Sequence, residues 1–171
     1  MKNKKVLFLT HAALIAALYV VLTEVSNAFG LASYMVQIRF SEALTILPFF
    51  TPAAIPGLFV GCIISNLLIS ANIFDILFGS LATLLGALGT YALRKLFSNK
   101  KPAAWVAPIP PIIANTLIIP LVLKYAYGLE PLWLSFLTVL AGELISCGIL
   151  GFVLFNMLKK HQKLFHTDAG N

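Results

Sequence analysis

Glu143 is the only charged residue in the apolar stretch 132–158. A carboxylate at the bilayer centre costs about 2.5–3.5 kcal/mol on insertion scales, so it turns toward a protein interior, a partner or a ligand. Counted along a helix at 1.5 Å per residue, Glu143 lies ~15 Å beyond Trp133, and Asn115 lies ~14 Å before Lys124 on the preceding, antiparallel stretch. Both reach the same depth near the midplane, which is compatible with a structural Asn–Glu hydrogen bond or with a polar pocket open to the outside. Arg39 and Glu42 are three apart, so a helix would put them on one face, either as an ion pair or as ligand contacts. Asn72, Asp75, Lys124 and Glu130 fall on the same expected outer side. So do the aromatic residues Phe29, Tyr34, Phe40, Tyr125, Tyr127 and Trp133, which suit an interfacial belt with one or two placed to stack on a planar ligand.

The chain that must position these groups is built for lipid. Of its 171 residues 60% are hydrophobic and 11% charged, with a mean hydropathy of +0.94. Soluble domains carry roughly 25% charged residues. The net charge of +6 is not a nucleic-acid signature, because every basic residue except Arg39 and Lys124 lies in one of three flanks near residues 2–5, 94–101 and 159–163. Such flanks mark cytoplasmic ends. The Lys-rich start and the apolar run after it read as a retained first span, since the run is long enough to cross and no small-x-small cleavage site follows.

Four stretches are long enough to span, at 6–28, 76–97, 103–124 and 132–158, against the ~20 residues that a crossing needs. Residues 43–74 carry no charge and are long for one helix and short for two. If they crossed once, the basic flank at 94–101 would face the side opposite the N-terminus. Pro48, Pro52 and Pro56 supply a break, so the expected spans there are 38–50 and 54–71. The expected fold is therefore all-α: a single integral domain, a bundle of six transmembrane helices, both termini cytoplasmic. Its second helix is short, and a short or broken helix at membrane depth must be buried in protein or line a cavity.

Two small-residue patterns suggest close helix packing. Ala12–Ala16 and Ala13–Ala17 overlap in the first span, serving the bundle or a partner subunit. Gly79, Thr83, Gly86 and Thr90 form a stripe in the fourth, read as internal packing. Cys62 and Cys147 read as buried small hydrophobes, with no disulfide or metal spacing. The three histidines sit near the expected inner face. Nothing here has the pattern of a catalytic or metal site, and no Gly-rich run precedes a Lys-Ser or Lys-Thr pair as nucleotide-binding loops require.

The run QIRFSEALTILPFFTPAAIPGLFVGCIISNL (37–67), followed by DILFGSLATL (75–84), resembles the QueT family. That resemblance covers essentially the whole chain. It implies the substrate-binding S-component of an energy-coupling factor (ECF) transporter, a type of ABC transporter, importing queuosine precursors across the cell membrane. Such a subunit would dock on a shared transmembrane coupling subunit driven by two cytoplasmic ATPases, with ATP used by those partners and no cofactor in this chain. The resemblance implies docking through Ala12, Ala13, Ala16 and Ala17. It also implies a substrate site toward the outer side, which on these residues would comprise Glu143, Asn115, Asn72, Asp75, Arg39, Glu42 and Tyr34. A 7-deazaguanine presents ring N–H and amino donors that one carboxylate accepts side by side. An aminomethyl substituent would call for a second acid such as Glu42 or Asp75. The alternatives are an S-component for another vitamin-like solute, a proton-coupled secondary transporter using Glu143, and a purely structural subunit.

Overall fold

The computed structural model describes residues 3–31, 38–70, 72–97 and 103–160. These are helical, with no strand among them. Four long apolar helices are α1 (Lys4–Ala28), α4 (Asp75–Phe97), α5 (Ala103–Tyr127) and α6 (Leu132–Lys160), and two shorter ones are α2 (Phe40–Phe49) and α3 (Ala54–Ile69). Each of the four long ones has the length and hydropathy to cross a membrane. The turn between α2 and α3 falls at Thr51–Ala53, where Pro52 removes a backbone donor.

The centre of the molecule is its least regular helix. α2 is a 3-10 helix of 10 residues, and each residue from Ser41 to Phe49 is buried. Such helices usually end after one turn because their hydrogen bonds are poorly aligned. Here the surrounding helices support it. Its first turn is tied to α1, where Phe40 N–H donates to Ser26 Oγ at 2.8 Å and the Thr23 and Ser41 hydroxyls meet at 2.8 Å. At its other end Phe49 and Phe50 pack on Phe155 of α6, with centroids 5.1 and 4.9 Å apart. Enclosure by protein is what a non-ideal helix at membrane depth requires.

Small residues set the helix contacts. Ala12, Ile15, Ala16, Tyr19, Thr23 and Ser26 form the buried stripe of α1, pressed on Gly57 and Gly61 of α3. A Cβ at Gly61 would lie 2.8 Å from Tyr19 Cβ and 3.0 Å from the Ala16 carbonyl oxygen. Ala12 and Ala16, expected as docking residues, are buried against α3 within the molecule. Ala13 and Ala17 stay exposed, because adjacent helical positions point about 100° apart. The stripe in α4 is likewise internal: Thr83, Gly86 and Thr90 are buried, and a Cβ at Gly86 would sit 2.7 Å from Pro111 Cα of α5. Replacing Gly61 by Ala should force α1 and α3 apart and cost about 1–3 kcal/mol, as over-packing of a tight core does. Thermal unfolding in detergent reads this directly, and an unchanged midpoint would contradict the close approach.

Two helices depart from α geometry beside the expected site. α4 opens with a π turn over Asp75–Gly79, and α6 carries a π segment over Leu144–Leu150, immediately after Glu143. Insertions of this kind recur at functional sites because they re-aim side chains without breaking the helix.

Candidate functional site

Three helices each bring a buried polar side chain to a single point. Asn115 of α5, 3% exposed, donates from Nδ2 to Glu143 Oε1 at 2.9 Å and to Glu42 Oε2 at 3.3 Å. Glu42 is held on α2 by the contacts that fix that helix, and its Oε1 accepts the Tyr19 hydroxyl from α1. The Cys147 thiol, one turn beyond Glu143 on the π segment, lies 3.1 Å from Glu143 Oε2 and 3.3 Å from the Glu42 carbonyl oxygen. Each of the four carboxylate oxygens therefore has a neutral donor within reach. In a low-dielectric interior such bonds are strong, and leaving one unmade is costly.

A cavity opens beside this cluster. Arg39, Glu42, Gly79, Thr83, Asn115, Ile119, Val139 and Glu143 line it, so α2, α4, α5 and α6 all contribute. Its volume is about 20 Å³, room for about one water. Two carboxylates on one amide repel in a low-dielectric medium, and Arg39 is the cation that lines the same space. Its Nη1 donates to Asn66 Oδ1 of α3 at 3.1 Å. Asn66 in turn donates to the Asp75 carbonyl oxygen at 2.9 Å. Chemically, the arrangement offers a donor (Arg39) and two acidic acceptors facing one small volume. That suits a planar polar ligand with both donors and an acceptor on one edge.

The donor atoms of Glu42, Glu143 and Cys147 lie within 4.8 Å of one another, close enough to hold a cation. The hydrogen bonds from Tyr19, Asn115 and Cys147 account for the same grouping without one.

Sequence reasoning and structure meet at Glu143, Asn115, Glu42 and Arg39, which share the cavity. The i, i+3 argument for an Arg39–Glu42 ion pair does not hold. Arg39 precedes α2 in an extended conformation (φ −104°, ψ 113°) and turns to Asn66 instead. The Asp75 carboxylate accepts the Tyr127 hydroxyl at the end of α5, so it joins the site only through its backbone. Asn72 is apart from the cavity: its Oδ1 accepts from Phe74 N–H at 2.9 Å and caps the turn entering α4. Tyr34 lies outside the described residues. Replacing Asn72 by Ala should cost about 1 kcal/mol of stability, as loss of a cap does, and change ligand affinity less than twofold. A larger loss of affinity in a binding titration would restore Asn72 as a contact.

Tyr19, Asn66 and the cysteines were missed as site residues. Cys62 and Cys147 are buried as expected, yet both sulfurs sit in hydrogen-bond networks, Cys62 with Thr83 at 3.3 Å and Asn66 at 3.5 Å. The available signal was a tyrosine and an asparagine mid-span, since buried Tyr and Asn need polar partners.

Comparison with known proteins places the sequence among transporters. The model of the family described as QueT transporter matches residues 9–160. A relative, the queuosine precursor transporter QueT of Lactococcus lactis subsp. cremoris (strain MG1363), is 37% identical over 84 residues. That alignment covers 49% of this chain and 49% of the relative, so the two match over about half their lengths. No solved structure matches. Both the family and the relative are transporters and not enzymes.

Proposed function

The chain belongs to the QueT transporter family, and from that premise we propose that it is the membrane subunit that captures a queuosine precursor, a 7-deazaguanine-type base, from outside the cell. The observation that carries this reading is the convergence of Arg39, Glu42, Asn115 and Glu143 on one cavity. On this reading Glu143 accepts the ring N–H and amino hydrogens of the base, a pair of charge-assisted hydrogen bonds. Glu42 is the second acid, placed for a further amino group. Asn115 holds the two carboxylates at a fixed spacing before the base arrives. A bicyclic base is far larger than the 20 Å³ present, so α2, α4, α5 and α6 part as it enters and close around it.

The further proposal is that six helices cross the cell membrane with both termini inside, α2 and α3 forming the two short crossings. The loaded subunit then docks on an ECF coupling subunit driven by two ATPases. The absence of a nucleotide-binding loop from this sequence supports the need for such partners. Exposed Ala13 and Ala17 on α1 support a close helix contact there. The alternative, a proton-coupled secondary transporter using Glu143 as the relay, would need no ATPase.

The test is a binding titration of the purified protein with 7-cyano-7-deazaguanine, 7-aminomethyl-7-deazaguanine and queuine, with guanine as control. Submicromolar binding of at least one is expected, and binding of none would remove the substrate assignment. In reconstituted vesicles, uptake should require the coupling module and ATP. Uptake driven by a proton gradient alone would overturn the docking part and favour the secondary transporter.

A further inference from the structure

One buried polar atom of this site is left without a hydrogen-bond partner among the described residues. That atom is Arg39 Nε, although Arg39 lines the same cavity as Glu42 and Glu143. Its neighbour Asn66 is 2% exposed and fixed from both sides, with Oδ1 on Arg39 Nη1 and Nδ2 on the Asp75 carbonyl oxygen. That carbonyl accepts only a donor, so the amide is set with its oxygen toward the guanidinium; the reverse orientation would oppose donor to donor and acceptor to acceptor. Gly79 leaves space for the arrangement, since a Cβ there would lie 3.0 Å from Asn66 Nδ2. A planar guanidinium gripped at one nitrogen keeps its remaining donors in a fixed fork.

Building on the function proposed above, we propose that Asn66 is a positioning residue that holds Arg39 so that its free N–H donates to the carbonyl oxygen of a lactam ring. The edge of a 2-amino-6-oxo base reads acceptor, donor, donor. Arg39 supplies the donor and the carboxylates supply the acceptors. The specificity of the site is then for the oxo group, with Asn66 acting only through Arg39 and touching no ligand atom.

The test compares 7-deazaguanine with its 6-thio analogue, which keeps the ring N–H and the amino group but exchanges oxygen for a weaker acceptor. Titrations of the full-length protein should show the wild type preferring the oxo compound about tenfold, as a site built to hydrogen-bond one group does. Asn66→Ala should bring that ratio to within about twofold, chiefly by weakening the oxo compound. Arg39→Lys, which keeps the charge and loses the fork, should do the same, and it carries the test if thermal unfolding shows that Asn66→Ala does not fold. An undiminished ratio in the folded variants, or equal loss for both ligands, would overturn the inference and leave Asn66 structural. A wild type that binds both compounds equally well also overturns it while sparing the proposed function. A wild type that binds neither also overturns the inference, and it removes the proposed function only where the three precursors titrated above fail to bind as well.

Discussion

Replacing Glu143 by Gln should weaken binding of a 7-deazaguanine-type base by about 10- to 150-fold, the 1.5–3 kcal/mol that hydrogen bonds to a charged group contribute. The shape of the side chain is kept, and the carbamoyl oxygen can still accept from Asn115 Nδ2, now 2.9 Å from Oε1. What changes is the second oxygen, which becomes a donor facing the Cys147 thiol and the ligand's own donors. Stability should hold or rise slightly, because one of two like charges leaves a buried cluster whose carboxylates are 4% and 8% exposed. Weaker binding without loss of stability is the signature of a ligand contact. A titration in which affinity moves less than twofold, or a variant in which stability and affinity fall together, would assign Glu143 to structure instead.

Glu143 and Asn115 were legible in the sequence because depth in a membrane helix follows from counting. A rise of 1.5 Å per residue placed both near the midplane, and the structure joins them at 2.9 Å. The same counting gave the four long helices to within a few residues, since apolar length and basic flanks are properties of the chain alone. Arg39 and Glu42 were found for a reason that does not hold. The helical-face argument presupposed a helix through both, but the backbone at Arg39 is extended and α2 winds as a 3-10 helix. That geometry depends on Ser26 and Thr23 of α1 catching its first turn, a tertiary effect with no local signal. The alanine pairs show the same limit. Ala12–Ala16 and Ala13–Ala17 are equivalent as patterns, and only Gly57 and Gly61 of another helix decide which pair turns inward. Asn66 was hidden by the lack of charge around it, although a carboxamide in an uncharged span needs a partner as much as a carboxylate does.

Asn115→Leu should be the most destabilising single change in the site, costing about 3–5 kcal/mol. Leucine keeps the branching of asparagine but is the larger side chain, so over-packing adds a cost that is common to any background, and the greater part of the loss has another source. It comes from removing the donor that two buried carboxylates share, Glu143 Oε1 and Glu42 Oε2, when each such bond to a charged group is worth about 1.5–3 kcal/mol. The remaining donors, Tyr19 and Cys147, lie on the far oxygens and cannot replace it. The carboxylates would then face each other with nothing between them, and ligand binding should fail with the site's geometry. A double-mutant cycle separates this cause from a general packing defect. In a Glu42→Gln, Glu143→Gln background the charges are gone, the glutamine side chains can bond to one another, and Asn115→Leu should cost only the packing share plus about 1 kcal/mol, the worth of a neutral hydrogen bond. Equal costs in both backgrounds, measured by thermal unfolding, would mean that Asn115 packs the bundle rather than holding the two acids apart. A smaller cost in the neutral background would instead identify the asparagine as the spacer that lets two acids wait together in the membrane for a base to arrive.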